Sequence, residues 1–335
     1  MKKLLLLVAS LAFVFSSCSS DNYEDVNPSS PTGIFGIRGD LNLADYEKIA
    51  SNVSPYQAGT TYPDFGSVVF IKVTEKSDEF IGSGVLIAPN WVLTASHNFY
   101  FPGEDKTPKT ASQVKVSIGN DPNNPQATYS VEQIILHPTW SDGDGGFERG
   151  NDICLVKLTK NVAEVSPATI NFAAASPKLN DKIWFAGFGD YSSTAGQNAN
   201  LYSKKHALEN ILDRKVDGLT SKKNNTSYEG GLLAFDFDSP DGSFNTLGDA
   251  IINLQEKALG NGTSSATALA FEGTTVQGDS GGPLFAFIDN KWVLIGILHG
   301  GIDDVAPNVK DAAYGDISVF TQTASHVNWI KSIVK

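Results

Sequence analysis

Three observations predict an all-β protein. Short apolar stretches recur between Gly, Pro and Asn turns, helical periodicity is scarce, and one helical repeat closes the chain. The strands are read at 67–73, 84–87, 91–95, 114–118, 131–136 and 153–158. They continue at 183–187, 283–288, 292–298 and 317–320. Residues 325–334 carry Val327, Ile330, Ile333 and Val334 at helical spacing, which predicts a terminal helix. Such a pattern fits a barrel or a sandwich.

Earlier elements are less regular. Residues 1–17 join Lys2 and Lys3 to an apolar run and then to Ser16-Ser17, the pattern of a signal peptide. The run is too short to span a bilayer comfortably. Residues 18–58 are expected to be a polar tether and an N-terminal arm. The tether is acidic and rich in Ser and Pro, a composition that buries no core. Ile37, Leu41, Leu43, Tyr46 and Ile49 fit either a short amphipathic helix or a wrapping arm. Residues 59–335 form the main domain. It holds a long polar insertion at about 190–270, with a helix-like stretch at Leu201–Leu212.

Charge and cysteine content narrow the function. The chain has 25 Lys and Arg against 37 Asp and Glu, a net −12, and loss of Lys2 and Lys3 takes it to −14. An acidic surface argues against nucleic acid as a partner. Of the 2 cysteines, Cys154 lies in an apolar strand and reads as a small buried hydrophobe. Cys18 follows small residues and resembles the lipobox of bacterial lipoproteins. That resemblance implies cleavage before Cys18, lipidation of its thiol, and anchorage in the bacterial envelope, at the outer membrane and facing the surface. The acidic residues after Cys18 resemble surface-export signals.

Three motifs carry chemistry. Gly278-Asp279-Ser280-Gly281-Gly282-Pro283-Leu284 surrounds a serine with glycines, so the backbone can aim successive N–H groups at one point. A serine nucleophile needs such donors and a base. Leu93-Thr94-Ala95-Ser96-His97 ends a strand with an imidazole, which titrates near neutrality. Asn151-Asp152-Ile153-Cys154 opens an apolar strand with an aspartate placed to be buried.

Together these motifs resemble the trypsin/chymotrypsin family of serine proteases, in the chain order His, Asp, Ser. Gly82–Ile87, Ile134–Pro138, Phe185–Gly189 and Val327–Ile330 extend the likeness over roughly residues 66–335. The resemblance implies two six-stranded antiparallel Greek-key barrels with a C-terminal helix. It implies hydrolysis of peptide bonds in proteins or peptides by a monomer without cofactor or metal. His97, Asp152 and Ser280 would be catalytic, and the N–H groups of Gly278 and Ser280 would form the oxyanion hole. Thr274, Thr275, His299 and Gly301 would contact substrate, and His137, His206 and His326 would be structural.

This sequence departs from the family in several places. Asn98 replaces a cysteine. His299 replaces a serine that bonds the catalytic aspartate, and on the strand-face argument it should turn toward Asp152. Gly300 replaces a tryptophan. Asp279 would need a cation, supplied either by a newly cut N-terminus within 34–66 or by another group. Thr274 puts no charge at the pocket floor, so an uncharged residue is expected before the cut, unless Asp316 reaches the pocket wall. The contrasting expectation is a protease fold kept for binding or adhesion. A calcium site at Asp236, Asp238 and Asp241 is the weaker reading beside a solvated acidic turn.

Overall fold

The computed structural model describes residues 35–52, 61–102, 105–140, 149–170, 177–191, 203–248, 254–302 and 312–335. The signal, Cys18 and the tether lie outside them. The first helix, α1, is Leu43–Ala50. Six strands follow: β1 Val68–Glu75, β2 Asp78–Ala88, β3 Trp91–Thr94, β4 Val114–Ile118, β5 Ala127–Leu136 and β6 Cys154–Leu158. They close into an antiparallel barrel in the order β1-β2-β3-β6-β5-β4. Alternation along β1 explains its two buried faces. Val69, Ile71 and Val73 join Leu86, Val92, Val116 and Cys154 inside the barrel. Val68 and Phe70 join a second core that includes Trp184, Phe185 and Phe285 from the rest of the molecule.

The other strands are β7 Lys182–Gly187, β8 His206–Ile211, β9 Arg214–Lys223, β10 Thr226–Asp236, β11 Pro283–Ile288, β12 Lys291–Ile302 and β13 Ile317–Gln322. They make a seven-stranded sheet, β8-β7-β11-β12-β13-β10-β9, rather than a second set of six. Its end strands β8 and β9 are consecutive in the chain. Leu212 bonds Asp181 beside β7, while the Asp213 N–H reaches Ala234 O in β10 at 3.1 Å. The chain itself thus steps from one edge of the sheet to the other. Among the described residues two more short α-helices follow, α2 Leu254–Ala258 and α3 Val327–Ile333, the latter where the terminal periodicity predicts one.

Two expectations need correction. Residues 206–211 form β8, not part of a helix over 201–212. The α1 helix packs on β8, and the strand is buried at His206 through Asn210. A strand covered on both faces loses its period-2 pattern and reads as helical. The stretch read as polar insertion also supplies β9 and β10 to the sheet, and the polar character comes from β9, whose residues are mostly exposed or half-buried.

The N-terminal segment is both helix and arm. Gly36 N–H donates to Ala312 O at 2.8 Å, and Thr274 N–H donates to Gly36 O at 2.9 Å. Tyr46 donates its hydroxyl to Glu272 O at 2.8 Å, and Arg38 Nη1 reaches Leu269 O at 2.6 Å. Tyr46, Ile49 and Ala50 are buried. No helix among the described residues is long and apolar enough to cross a membrane.

Candidate active site

Register places the histidine beside the aspartate. In the antiparallel pair β3/β6, Thr94 lies opposite Cys154. The chain therefore leaves β3 toward His97 at the same barrel end where it enters β6 from Asp152. Ser96 Oγ locks the two segments together by donating to Ile153 O at 2.6 Å. His97 Nδ1 then lies 2.6 Å from Asp152 Oδ2, and the His97 backbone N–H donates to Asp152 Oδ1 at 3.0 Å. One bond holds the backbone and the other the ring, and a carboxylate at Nδ1 favours the tautomer with its proton there, which leaves Nε2 as the base.

A second imidazole meets the same carboxylate. His299 Nδ1 is 2.9 Å from Asp152 Oδ2, as the strand-face argument expects, although β12 shifts register between Leu298 and Gly300. Burial by itself would push the fully enclosed Asp152 carboxyl up. The charge of His97 and the hydrogen bonds from His299 and His97 outweigh it and hold the group below the usual carboxylate range. Trp140 packs edge-on against His299 with ring centroids 6.2 Å apart, and its Nε1–H donates to Tyr100 O at 2.8 Å. Nothing in the sequence reading singled out Trp140.

The Ser280 turn comes from the second sheet and is sewn onto the first barrel. Ser83 of β2 donates its N–H to Ser280 O at 2.8 Å and its hydroxyl to Gly278 O at 3.0 Å. The same Ser83 Oγ accepts from Phe188 N–H at 3.0 Å. Asn98 Nδ2 donates to Ser280 O at 3.0 Å and to Thr94 Oγ1 at 3.1 Å. Asn98, which stands where the family has a cysteine, thus ties the histidine loop to the serine turn by hydrogen bonds. Gly281 is required: its φ is +83°, and a Cβ there would lie 2.0 Å from Thr94 Oγ1.

The N–H groups of Asp279, Gly281 and Gly282 are committed to Val276 O, Leu298 O and Asp279 O. Those of Gly278 and Ser280 have no acceptor among the described residues. They are the pair expected to form an oxyanion hole. The Ser280 hydroxyl makes no hydrogen bond to His97 in this structure. A serine side chain turns about one torsion, and such contacts often tighten only with substrate.

At the expected pocket floor three hydroxyls meet. Thr274 Oγ1 and Thr275 Oγ1 each lie 3.0 Å from Ser318 Oγ. Ser318 also accepts from Thr275 N–H at 3.1 Å. Gly301 lies opposite this same Ser318 across β12 and β13. Asp316 is buried, and its Oδ2 accepts from Ala313 N–H at 3.2 Å within its own turn.

The remaining candidates separate. His137 and His326 are buried and packed on each other and on Trp329; burial lowers them to about 2 and about 4. Asp241 caps its own turn, accepting from Ser239 and Ser243 hydroxyls, and those bonds lower it to about 2. Asp236 and Asp238 do not form a solvated turn with it. They are buried with Asp213 and Glu272 at the end of β10 and just beyond it. Among the described residues no group of three or more His, Cys, Asp or Glu could hold a metal ion.

With this geometry in place, the comparisons with known proteins agree on one group. The trypsin family model, described as Trypsin, matches residues 56–230, a span that holds His97 and Asp152 and ends before Ser280. Urokinase-type plasminogen activator of Gallus gallus is 25% identical over 265 residues, covering 76% of this chain and 51% of the relative. Tissue-type plasminogen activator of Mus musculus is 26% identical over 336 residues, covering 93% and 48%. Serine protease 28 of Mus musculus is 24% identical over 253 residues, covering 75% and 76%. The chain spans about half the length of the plasminogen activators it matches.

A closed six-stranded barrel and a second sheet, joined across a histidine–aspartate pair and a glycine-flanked serine, define the class: a trypsin-fold protein. The chain belongs to the trypsin family of serine proteases.

Proposed function

We propose that this protein is a serine endopeptidase that hydrolyses peptide bonds of protein substrates through an acyl-enzyme. The observation that carries the reading is the Asp152 carboxylate, bound at 2.6 Å to His97 and at 2.9 Å to His299, beside a serine turn with two uncommitted N–H groups. Ser280 Oγ attacks the scissile carbonyl carbon. His97 Nε2 takes its proton and later gives it to the leaving amine. Asp152 stabilises the imidazolium, and the N–H groups of Gly278 and Ser280 bind the oxyanion. A water molecule, activated by His97, then cleaves the acyl-enzyme.

Ser280→Ala decides between this reading and a trypsin fold kept for binding. The expected result is loss of casein hydrolysis and of fluorophosphonate labelling with the melting temperature unchanged; hydrolysis at the wild-type rate would discard the assignment. Run on a peptide library, the wild-type enzyme should prefer an uncharged residue before the cut, because Thr274, Thr275 and Ser318 offer hydroxyls and no charge. Dominant cleavage after Arg or Lys would refute that preference.

We further propose anchorage of the protein in the bacterial envelope through a lipidated Cys18. The support is the Phe15-Ser16-Ser17-Cys18 sequence after a basic and apolar leader. Cys18→Ala should abolish detergent-phase partitioning, and unchanged partitioning would reject the anchor.

A further inference from the structure

Asp279 sits between the two residues whose N–H groups are uncommitted, and its carboxylate points away from them into a closed socket. The socket floor is Gly187 and Gly189: a Cβ on Gly187 would lie 2.1 Å from Asp279 Oδ1, and one on Gly189 2.7 Å from Oδ2. Gly189 N–H donates to Oδ1 at 2.8 Å, and Val276 N–H donates to Oδ2 at 3.0 Å. Tyr191 lies with its hydroxyl 2.8 Å from both Oδ2 and Thr274 O, so its one proton is shared between them. His206 Nε2 lies 3.2 Å from Oδ1. The two atoms lie within contact distance without the alignment of a hydrogen bond. The His206 ring packs on Tyr191 with centroids 3.8 Å apart.

The N-terminal arm closes the far side. A Cβ on Gly36 would lie 2.5 Å from Tyr191 Cε1 and 2.7 Å from Val276 Cγ1. Gly36 is mid-chain, with its N–H bound to Ala312 O and its carbonyl to Thr274 N–H. The carboxylate therefore has its donors from within the fold, and the described walls at Gly36, Gly187 and Gly189 are closely packed against it or against Tyr191. Burial, and then Asp279, raises the Tyr191 phenol well above its ordinary value, so it stays a donor across the working pH range.

We infer that Tyr191 and His206 are positioning residues which, under the 35–42 arm, hold Asp279 so that the Gly278–Ser280 turn is built in the uncut chain. The inference rests on the peptidase reading. It adds that no newly freed amine is needed to shape the oxyanion hole. If the Asp279 side chain left the socket, the bonds from Asp279 N–H to Val276 O and from Gly282 N–H to Asp279 O would be strained. The turn that carries the two free N–H groups would then lose its shape.

The test starts from the full chain. A fluorophosphonate should label Ser280, with intact mass showing no cut within 34–66. Labelling only of chains cut in that segment would overturn the inference and keep the peptidase reading. Labelling of neither form would overturn both. Tyr191→Phe should then lower the burst amplitude, the fraction of competent sites, about tenfold, since a hydrogen bond to a charged group is lost. KM and the turnover of each competent site should stay near wild type, a split that a purely structural role would not give. His206→Gln should lower the amplitude less, and it carries the test if Tyr191→Phe fails to fold. Wild-type burst amplitude in either folded variant would overturn the positioning role.

Discussion

Asp152 and Asp238 are both buried acids flanking the end of a strand, yet their surroundings favour opposite charge states. Asp152 faces two imidazoles and one backbone N–H. Asp238 faces other acids. Burial raises it to about 9, and the charges of Asp236, Glu272 and Asp213 add to the effect. Glu272 is raised to about 8, mainly by burial, although it accepts N–H bonds from Leu269 and Asp238. Burial, and then the charge of Asp236, raises Asp213, and burial raises Asp236 as well. The nearby Arg214 guanidinium spends its bonds on the carbonyls of Asp213, Thr263 and Leu247. Burial alone does not decide charge; the donors that come with it do. The first site is wired to hold an ion, and the second to hold protons.

The largest expected effect breaks the first side of that contrast. Asp152→Asn keeps the shape but offers an amide to His97, which favours the wrong tautomer. The same change in the template triad of this family costs about 10⁴ in kcat, and a comparable loss is expected here. Activity within tenfold of wild type would mean that Asp152 does not orient His97. A smaller effect follows for His299→Ala. It removes one of two imidazole donors from Asp152 Oδ2, so kcat should fall roughly 10- to 100-fold, by analogy with a lost hydrogen bond to a charged group. Loss of binding alone, seen as a raised KM at constant kcat, would instead assign His299 to the substrate pocket.

The sequence made the first site legible and the second invisible, for a physical reason. His97 and Asp152 belong to strand ends whose apolar runs are unambiguous, and β3/β6 register does the rest. The place of His299 beside Asp152 follows from its family position and from alternation along β12. The acid nest joins Asp213, Asp236, Asp238 and Glu272 from three separate stretches of chain, and no local pattern announces such a meeting. Asp236-Phe237-Asp238 looks like a polar turn until β10 and the sheet bury it. The β8 strand is hidden for a related reason, since it packs against α1 and is buried from His206 to Asn210 with no polar face left to alternate. The partners of Asp279 at Gly189, Tyr191 and His206 are likewise far off in sequence, so the need for a partner could be read but not its identity.

The smallest expected effect tests the acid nest by stability. A carboxyl raised in the folded state stays protonated there after the unfolded chain has lost its proton near pH 4. Its contribution is complete below that point and falls as pH rises through the folded value, here toward 8 or 9. Other groups bend the profile. Asp152, lowered in the folded state, costs stability as pH falls into the acid range. His137 and His326, buried neutral, cost it below about 6. Lys205, lowered to about 7 by burial, has the opposite slope above that pH. The difference between wild type and Asp238→Asn removes these shared terms. Asparagine has no proton to lose, and its amide can donate to the neighbouring acids. The variant should match wild type near pH 5 and gain on the order of 1–3 kcal/mol by pH 9, with peptidase activity retained. Denaturant melts at the two pH values would measure it, and a gap that does not widen with pH would show that Asp238 is ionised in the folded protein after all.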